Sequence, residues 1–253
     1  METTAFAQQC GIVTGAGSGI GKAAAMMFAA RGASLTIADI NVDAGKAAED
    51  AIRSAGGVAH FVACDVADPD SVKAMVDGSV ARFGRLDFAF NNAGITGVPA
   101  NTADAAIDEW KRMMETDLNS VFYCMKYQLA HMKAAGRGAI VNNSSDAGLK
   151  PVPTISSYVT AKTGVIALTR NAALEYAGVG IRINAVCPGA TRTPMMALCA
   201  PNAEVEAQVC AGIPAGRYGE PEEVAEAVVW LCSAAASYIT GVALPVDGGL
   251  ASK

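Results

Sequence analysis

The chain has 253 residues, of which 52% are hydrophobic and 17% charged, a composition typical of folded globular proteins that excludes disorder as the main state. Its 19 Lys and Arg and 24 Asp and Glu give a net charge of −5 without a long run of either sign, which argues against nucleic acid as a partner. Seven cysteines without a Cys-x-x-Cys pair, together with two histidines, argue against a structural zinc site and a disulfide framework.

Short β-rich apolar runs alternate along the chain with longer helical patterns, which indicates βαβ units and a parallel sheet. Strands are predicted at Cys10–Thr14, Ser34–Ala38, Val58–Ala63, Leu86–Phe90, Ala139–Asn143, Ile181–Val186 and Val242–Val246. Helices are predicted at Gly19–Arg31, Val42–Ala55, Pro69–Phe83, Asp104–Ala135 (two helices), Ser156–Tyr176 and Pro221–Ala235. Several strands are apolar throughout, as expected when helices cover both faces of a sheet. The predicted fold class is therefore α/β, a doubly wound parallel seven-stranded sheet.

No linker or repeat divides the chain, which predicts a single domain over residues 1–253. The segment 194–218 interrupts the alternation of strands and helices, and we expect it to form a lid over the substrate site. Its apolar side chains without a basic cluster favour an apolar, cyclic or aryl substrate over a sugar phosphate or an acyl-carrier thioester. These side chains are Met195, Met196, Leu198, Val205, Val209 and Ile213. The alternative is that the methionines fill gaps in the core.

The most informative local feature is the glycine turn Thr14-Gly15-Ala16-Gly17-Ser18-Gly19-Ile20-Gly21, which connects the first strand to the first helix. Glycines let the backbone approach a pyrophosphate, and the free N–H groups at the start of the helix bind the anion. The turn therefore predicts a dinucleotide site formed by Gly15, Ser18, Gly19 and Ile20. A tight strand-to-helix connection without a ligand is the alternative.

Asp39 closes the second strand about 20 residues after the glycine turn, where an acidic side chain can accept hydrogen bonds from the adenosine ribose hydroxyls. Its carboxylate would repel a 2′-phosphate, and the glycine turn contains no Arg or Lys that could pair with one. The sequence therefore predicts NAD(H) rather than NADP(H). The alternative is that Asp39 only starts a turn before Ile40 and Asn41.

Polar side chains also follow the third and fourth strands, at the carboxyl ends where open α/β sheets bind ligands. Asp65 and Val66 follow the third strand, and Asn92 and Gly94 belong to the run 91–94 after the fourth. We expect these four residues at the cofactor site. The alternatives are that Asp65 caps the next helix and that the asparagines satisfy turn backbone.

Tyr158 and Lys162 are four residues apart in a helical pattern, which places the phenol and the ammonium on one face of the helix. A tyrosine is a poor base at neutral pH, but an adjacent ammonium favours the phenolate and brings proton transfer within range. Ser145 follows the fifth strand, where its hydroxyl could hydrogen-bond a substrate oxygen. The alternatives are an accidental Tyr-Lys pair and a serine that caps a turn.

Taken together, these motifs resemble the short-chain dehydrogenase/reductase family over essentially the whole chain. The motifs that carry the resemblance occur in order as Thr14–Gly21, Asp65, Asn91–Gly94, Ser145, Tyr158 with Lys162, Cys187-Pro188-Gly189 with Thr193, and Asp247-Gly248-Gly249. The resemblance implies a Rossmann-type sheet with strand order 3-2-1-4-5-6-7. It also implies a homotetramer, the usual assembly of the family.

The resemblance assigns roles to the residues that match these motifs. Tyr158 would be the general acid/base and would also contact the cofactor. Lys162 would hold the nicotinamide ribose and lower the tyrosine pKa, and Ser145 would orient the reacting oxygen. The segment 188–193 would contact the nicotinamide end of the cofactor, through Gly189, Thr191 and Thr193.

One position departs from the pattern of the family. The family's helix motif Asn-Leu-x-(Gly/Ser)-Val-Phe carries an Asn that holds a water of the proton relay, and this chain has Asp117 there. Asn119 lies roughly 200° further around the helix and cannot replace it. Our hypothesis is that Asp117 still anchors the relay water, as part of the catalytic set, and that turnover persists with a shifted pH optimum. The alternative is a solvated helix acid without a relay role.

The motifs and the resemblance predict an NAD(H)-dependent oxidoreductase that interconverts a secondary alcohol and a ketone. A dehydrogenase that acts on a cyclic diol and a catalytically weak dinucleotide-sensing protein are the alternatives. Enoyl reduction is disfavoured, because members that resemble that branch space their Tyr and Lys more widely.

The start of the chain lacks a basic region followed by an apolar run, and the longest apolar run, Ala23–Ala30, is too short for a membrane span. We therefore expect a cytoplasmic protein without membrane contact, whose scattered cysteines are reduced, buried and unreactive. No metal site is predicted, since His60 and His131 lie outside every motif.

Overall fold

The computed structural model describes residues 4–253, which form one parallel sheet with helices on both faces. The strands are β1 (Cys10–Thr14), β2 (Ser34–Asp39), β3 (Val58–Ala63), β4 (Phe88–Asn91), β5 (Gly138–Asn143), β6 (Ile181–Pro188) and β7 (Ala243–Val246). The helices are α1 (Gly19–Ala30), α2 (Val42–Ser54), α3 (Pro69–Phe83), α4 (Ile107–Met114), α5 (Ser120–Ala135), α6 (Ser156–Tyr176), α7 (Pro194–Cys199), α8 (Ala203–Gly212) and α9 (Pro221–Cys232). The strand order β3-β2-β1-β4-β5-β6-β7 confirms the predicted Rossmann-type α/β fold.

Local capping signals set the ends of the helices. Asn41 and Asp68 accept backbone N–H bonds at the starts of α2 and α3, each at 3.0 Å. Gly84 ends α3 in the left-handed conformation, with φ of 74°. Helix α9 ends at Cys232, earlier than predicted, because Ser233 is extended and its hydroxyl donates to a carbonyl of the last turn at 2.7 Å. Within residues 4–253, no helix combines the length and apolar character of a membrane span.

Five strands differ from their predicted bounds: β2, β5 and β7 by one residue at one end, and β4 and β6 by more. Strand β4 begins at Phe88 rather than Leu86, because Asp87 contacts the neighbouring strand through its side chain as well as its backbone. Its carboxylate accepts from Cys10 N at 2.9 Å, while its own N–H donates to Cys10 O at 2.8 Å. Strand β6 extends beyond its predicted end to Pro188, which carries the chain further toward the carboxyl edge of the sheet.

Two apolar layers cover the faces of the sheet. One packs α1, α2 and α9 against the strands and contains Phe6, Phe28 and Phe88, whose ring centroids lie 4.4, 5.0 and 5.2 Å apart. The other layer packs α3, α5 and α6. Gly11 in β1 leaves room for the Phe88 ring in the first layer, since an added Cβ would lie 2.1 Å from that ring. Both faces are therefore buried, as the apolar strands predict.

The predicted helical range 104–135 contains two helices, as expected, and a π-helical turn, Glu115–Asn119, joins them. Such turns insert an extra residue and are frequent at functional sites. Asp117 lies in this turn and is fully buried. Asn119 does not take its place, because its side chain donates instead to Glu115 at 2.7 Å.

Candidate active site

A cavity of about 560 Å³ lies at the carboxyl ends of β1 to β4, where the glycine turn leads into α1. We call it the cofactor cavity. Many of the residues predicted to bind the cofactor line it, namely Gly15, Ser18, Gly19, Ile20, Asp39, Asp65, Val66, Asn92, Gly94 and Thr193. Positions that are far apart in the sequence thus converge on one site.

The glycine turn has the backbone shape that a phosphate cradle requires. Gly15 has φ of +63°, and an added Cβ would lie 2.9 Å from the Ala93 backbone. Gly19 has φ of +51°, and its added Cβ would lie 3.1 Å from Thr193. Ser18 occupies the N-cap position of α1 without a capping bond from its side chain. The N–H groups at the start of α1 are therefore suited to bind an anion.

Asn92 holds the glycine turn from the end of the neighbouring strand. Its side-chain amide donates to Thr14 O at 3.0 Å and to Gly15 O at 3.2 Å. Asn91 is instead buried in the sheet, where its side chain bonds to other buried amides. Of the two adjacent asparagines, Asn92 is therefore the one that faces the site.

Asp39 lies in the wall of the cofactor cavity and is bonded to the glycine turn. Its Oδ2 accepts from Gly17 N at 2.8 Å, and its Oδ1 accepts from Asn41 N at 2.9 Å. Asp39 therefore does start a turn, as the alternative states, and its contact with the adenosine ribose stays a prediction. The bond to Gly17 nevertheless holds the carboxylate in the wall of the cavity.

Asp65 does not cap α3, because Asp68 occupies that position. The Asp65 carboxylate accepts from Ala67 N at 2.9 Å and orders the turn that carries Val66 along the cavity wall. The capping alternative for Asp65 is therefore wrong.

A second cavity of about 700 Å³ adjoins the first at the carboxyl ends of β5 and β6. We call it the substrate cavity. The predicted residues in its wall are Ser145, Tyr158, Gly189, Thr191 and Thr193. It shares lining residues with the cofactor cavity, among them Ile20, Asn143, Thr193 and Met195. Ligands in the two cavities would therefore be neighbours.

The segment 194–218 forms α7, α8 and the connection to Tyr218. Four of the apolar residues of the predicted lid line the cavity, namely Met195, Met196, Leu198 and Val209. Val205 and Ile213 are absent from its wall, and Ile213 is buried next to Gly248 instead. The segment therefore contributes to the cavity wall through the other four side chains.

Ser145 lies at the start of a short 3₁₀ turn after β5. Its Oγ accepts from Ala147 N at 3.2 Å and donates to Asp146 Oδ1 at 3.1 Å. The capping alternative for Ser145 is therefore correct, and the same hydroxyl is also part of the cavity wall.

Tyr158 and Lys162 lie one turn apart on α6, as their spacing predicts. Lys162 Nζ is 5.5 Å from the centroid of the Tyr158 ring and donates to Asn143 O at 3.2 Å. Lys162 is 3% exposed and lies behind Gly94, whose added Cβ would be 3.3 Å from Nζ. Lys162 is therefore covered by backbone of the cavity wall.

Burial raises the pKa of Tyr158 above its ordinary value, and the charge of Asp117 raises it further. The Lys162 ammonium and the Ser145 hydroxyl act in the opposite direction. Burial alone would lower the pKa of Lys162, but its charge interactions, first of all with Asp117, outweigh burial, so that this pKa is raised. At neutral pH Lys162 is therefore cationic and Tyr158 protonated.

Asp117 forms a buried ion pair with Lys162. Its Oδ2 lies 3.0 Å from Lys162 Nζ, with the two side chains 0% and 4% exposed. Its Oδ1 accepts from Ile95 N at 2.8 Å. The alternative of a solvated helix acid is therefore wrong, because the π-helical turn directs Asp117 inward. A role in the proton relay stays a prediction.

Asn143 is a site residue that the motif analysis missed. It lines both cavities, and its Nδ2 donates to Asn92 Oδ1 at 3.0 Å. Its Oδ1 is buried without a hydrogen-bond partner among the described residues. The sequence feature that could have indicated Asn143 is its position, a polar residue at the end of an apolar strand. The free acceptor supports a ligand donor at the junction of the cavities.

The cysteines fall into two groups. Five are buried, while Cys199 is exposed and Cys210 partly exposed, on α7 and α8. Burial raises the pKa of Cys187 to about 11 and that of Cys232 to about 12, so both are protonated thiols. The expectation of buried cysteines is therefore wrong for Cys199 and Cys210, because the two short helices lie at the surface.

The sheet, the glycine turn and the cluster of Ser145, Tyr158 and Lys162 define a dinucleotide-binding oxidoreductase. A family model described as enoyl-(acyl carrier protein) reductase matches residues 15–251. Together with the relatives below, this match shows that the chain belongs to the short-chain dehydrogenase/reductase family.

Curated relatives cover nearly the whole chain. Cyclohexanol dehydrogenase of Acinetobacter sp. (strain SE19) is 46% identical, covering 98% of this chain and 97% of that protein. Cis-4-hydroxycyclohexanecarboxylate dehydrogenase of Sinomonas cyclohexanicum is 48% identical and covers 97% of both. 2,5-dichloro-2,5-cyclohexadiene-1,4-diol dehydrogenase of Sphingobium indicum is 45% identical, covering 94% and 95%. The predicted class, an alcohol dehydrogenase or ketoreductase of this family, is confirmed.

Solved structures show the same fold. Levodione reductase superimposes with a TM-score of 0.95 at 36% identity, covering 98% of this chain and 99% of that chain. A variant of actinorhodin polyketide ketoreductase with NADPH gives a TM-score of 0.95 at 34% identity, with 100% of both chains covered. A nicotinamide dinucleotide is therefore the cofactor type.

Proposed function

We propose that the protein interconverts a secondary alcohol and a ketone on a cyclic substrate, with NAD(H) as its cofactor. The observation that carries the proposal is the position of Tyr158 and Ser145 in the wall of a cavity that opens onto the cofactor cavity. The names of the three curated relatives describe cyclohexane or cyclohexadiene alcohols, which supports a ring substrate.

The character of the substrate cavity supports an uncharged ring. Its volume of about 700 Å³ lies in the range of small-molecule sites, and Met195, Met196 and Leu198 contribute apolar surface from the proposed lid. Among the described residues that line it there is no Lys, Arg or His. A phosphorylated or carrier-bound substrate would therefore lack a cationic partner.

The residues of the cofactor cavity fit a dinucleotide. The glycine turn would bind the pyrophosphate through its N–H groups, and Asp39 would accept from the adenosine ribose. Asp65, Val66 and Asn92 line the cavity further along. A dinucleotide held by these residues would supply hydride transfer to and from the carbon that carries the reacting oxygen.

The protein supplies the proton transfer. Tyr158 Oη would remove the hydroxyl proton during oxidation and return it during reduction. The ammonium of Lys162 lowers the free energy of the phenolate, and Ser145 Oγ would bind the reacting oxygen. Asp117 and the Asn143 carbonyl hold Lys162 in place, and we include Asp117 in the catalytic set as the anchor of a relay water.

The proposal is tested by following NADH absorbance with a panel of cyclic secondary alcohols and ketones, in parallel with NAD(H) and NADP(H). Oxidation of cyclic alcohols that disappears in Tyr158→Phe supports it. Comparable rates on phosphorylated or carrier-bound substrates, together with poor rates on apolar ketones, would contradict it.

A dinucleotide-sensing protein is the second candidate. The observation that favours it is the buried Asp117–Lys162 ion pair, which partly neutralises the ammonium that assists Tyr158. Tight NAD binding without turnover of any alcohol in the panel would favour this candidate over the dehydrogenase.

Replacing Asp39 by Asn is expected to raise the ratio of kcat/KM for NADP to that for NAD by about 10–100-fold, because it removes a like charge opposite the 2′-phosphate. The Asn amide oxygen can still accept from Gly17 N, so the glycine turn keeps its bond, while the bond from Asn41 N is lost. Initial rates with both cofactors measure the ratio. Asp65→Asn removes the same charge elsewhere in the cavity and serves as the control. An unchanged ratio in Asp39→Asn would contradict the assignment.

We also propose that the chain is a cytoplasmic homotetramer. Large apolar side chains are exposed on two long helices, with Phe122 on α5 47% exposed and Leu174 on α6 85% exposed. Light scattering is expected to give four times the chain mass, and Phe122→Glu is expected to lower this measured mass. Val58→Glu at another exposed apolar position is the control. A monomeric wild-type protein would refute this assembly.

A further inference from the structure

Asp146 is an ionisable side chain in the substrate cavity that the proposed reaction does not use. It directly follows Ser145, and its side chain is 18% exposed. It is the one carboxylate among the described residues that line the cavity, and no cationic side chain accompanies it there. A carboxylate in such a place acts on whatever polar group the substrate carries.

The contacts of Asp146 leave room for a further donor. Its Oδ1 accepts from Ser145 Oγ at 3.1 Å, which uses one of the roughly four acceptor positions of a carboxylate. Its Oδ2 lies 4.0 Å from Lys150 Nζ, beyond hydrogen-bond distance, and Nζ donates to Leu250 O at 2.7 Å. Burial raises the pKa of Asp146, with Ser145 and Lys150 opposing the rise. A hydrogen bond donated by a ligand would offset the cost of burying this carboxylate.

The spacing indicates where that donor would lie. Ser145 has one hydroxyl proton, so it would turn this proton from Asp146 to the reacting oxygen of the substrate. Asp146 Oδ1, 3.1 Å from Ser145 Oγ, is then free to accept from another donor. Two hydroxyl oxygens on neighbouring ring carbons are separated by a comparable distance, about one hydrogen-bond length. Hydroxyls on opposite carbons of a ring lie further apart and point in different directions, so they match this spacing less well.

We propose that Asp146 determines substrate specificity by accepting a hydrogen bond from a second hydroxyl next to the reacting carbon, which makes a neutral cyclic vicinal diol the preferred substrate class. The inference rests on the proposed function and deepens it. The same carboxylate repels substrates that carry a carboxylate of their own, because the cavity wall offers them no cation.

The test compares four alcohols as substrates with NAD, namely cyclohexane-1,2-diol, cyclohexane-1,4-diol, cyclohexanol and 4-hydroxycyclohexanecarboxylate. The wild type is expected to prefer the 1,2-diol over cyclohexanol by about 10–100-fold in kcat/KM, with the carboxylate the poorest substrate. Asp146→Ala is expected to reduce the 1,2-diol preference to near one. Any effect of Asp146 on Ser145 is common to both substrates and cancels in this ratio.

Asp146→Asn provides a second variant of nearly equal shape. It is expected to raise kcat/KM for the carboxylate substrate relative to cyclohexanol by at least about tenfold, because the repelling charge is gone. Asp108→Asn, whose side chain is 98% exposed on α4, removes the same charge from the surface and is the control.

The outcomes separate the two proposals. Turnover of cyclohexanol at least as good as that of the 1,2-diol, or equal preference for the 1,2- and 1,4-diols, would overturn the role of Asp146 and leave the dehydrogenase intact. Retention of the 1,2-diol preference in Asp146→Ala would do the same. No oxidation of any of the four alcohols, with NAD or NADP, would overturn the proposed function and this inference with it.

Discussion

Replacing Tyr158 by Phe is expected to lower kcat/KM for alcohol oxidation by about 10²–10⁴-fold, the usual contribution of a general acid/base. The substitution removes the one atom that would carry the substrate proton, Oη, and leaves the ring beside Lys162. Initial rates from NADH absorbance measure the loss. Because the glycine turn and Asp39 line a different part of the site, NAD binding followed by fluorescence titration is expected to remain close to that of the wild type.

A matched control is available on the surface. Tyr238 is fully exposed, so Tyr238→Phe removes the same hydroxyl without touching either cavity. Its rate is expected to equal that of the wild type. If Tyr158→Phe retained turnover within tenfold of the wild type, Tyr158 would not be the proton-transfer group. A parallel loss of NAD binding would instead indicate that the substitution disrupts the site.

Replacing Asp117 by Ala is expected to lower the free energy of unfolding by about 3–5 kcal/mol, since it leaves the Lys162 ammonium buried without its counter-charge. The pair is 3.0 Å apart and almost completely excluded from solvent. Denaturant unfolding measures the change. Asp108, paired at the surface with Lys111, is the control, because exposed pairs contribute little.

The double variant isolates the interaction. Adding Lys162→Met to Asp117→Ala removes both charges, so the double variant is expected to be more stable than Asp117→Ala alone. A double variant that loses the sum of the two single effects would show that the ion pair is not the source of the destabilisation.

Asp117→Asn tests the same pair through the pH dependence of the rate. The Asp117 charge raises the pKa of Tyr158, so its removal lowers that pKa. Oxidation needs the phenolate, and the rising limb of the pH–rate profile is therefore expected to move to lower pH. A rate that increased by orders of magnitude at every pH would contradict the hypothesis that Asp117 serves the relay in its native form.

The sequence by itself determined the order of strands and helices along the chain and the position of the glycine turn. These features depend on local signals, namely apolar runs, caps and backbone conformations that only glycine adopts freely. The spacing of Tyr158 and Lys162 is also local, because one helical turn brings the two side chains together whatever packs around them.

The tertiary structure alone decided what each polar side chain faces. The sequence could not show that Asn91 bonds to buried amides inside the sheet, nor that Asn143 lies between two cavities, because those orientations depend on how neighbouring strands pack. Asp117 is the clearest case. Its helix pattern allows a solvated acid, but the π-helical turn directs it inward to Lys162, a partner that is distant in the sequence. The burial of a polar side chain and its pairing with a distant segment depend on the packed fold, which local sequence patterns do not specify.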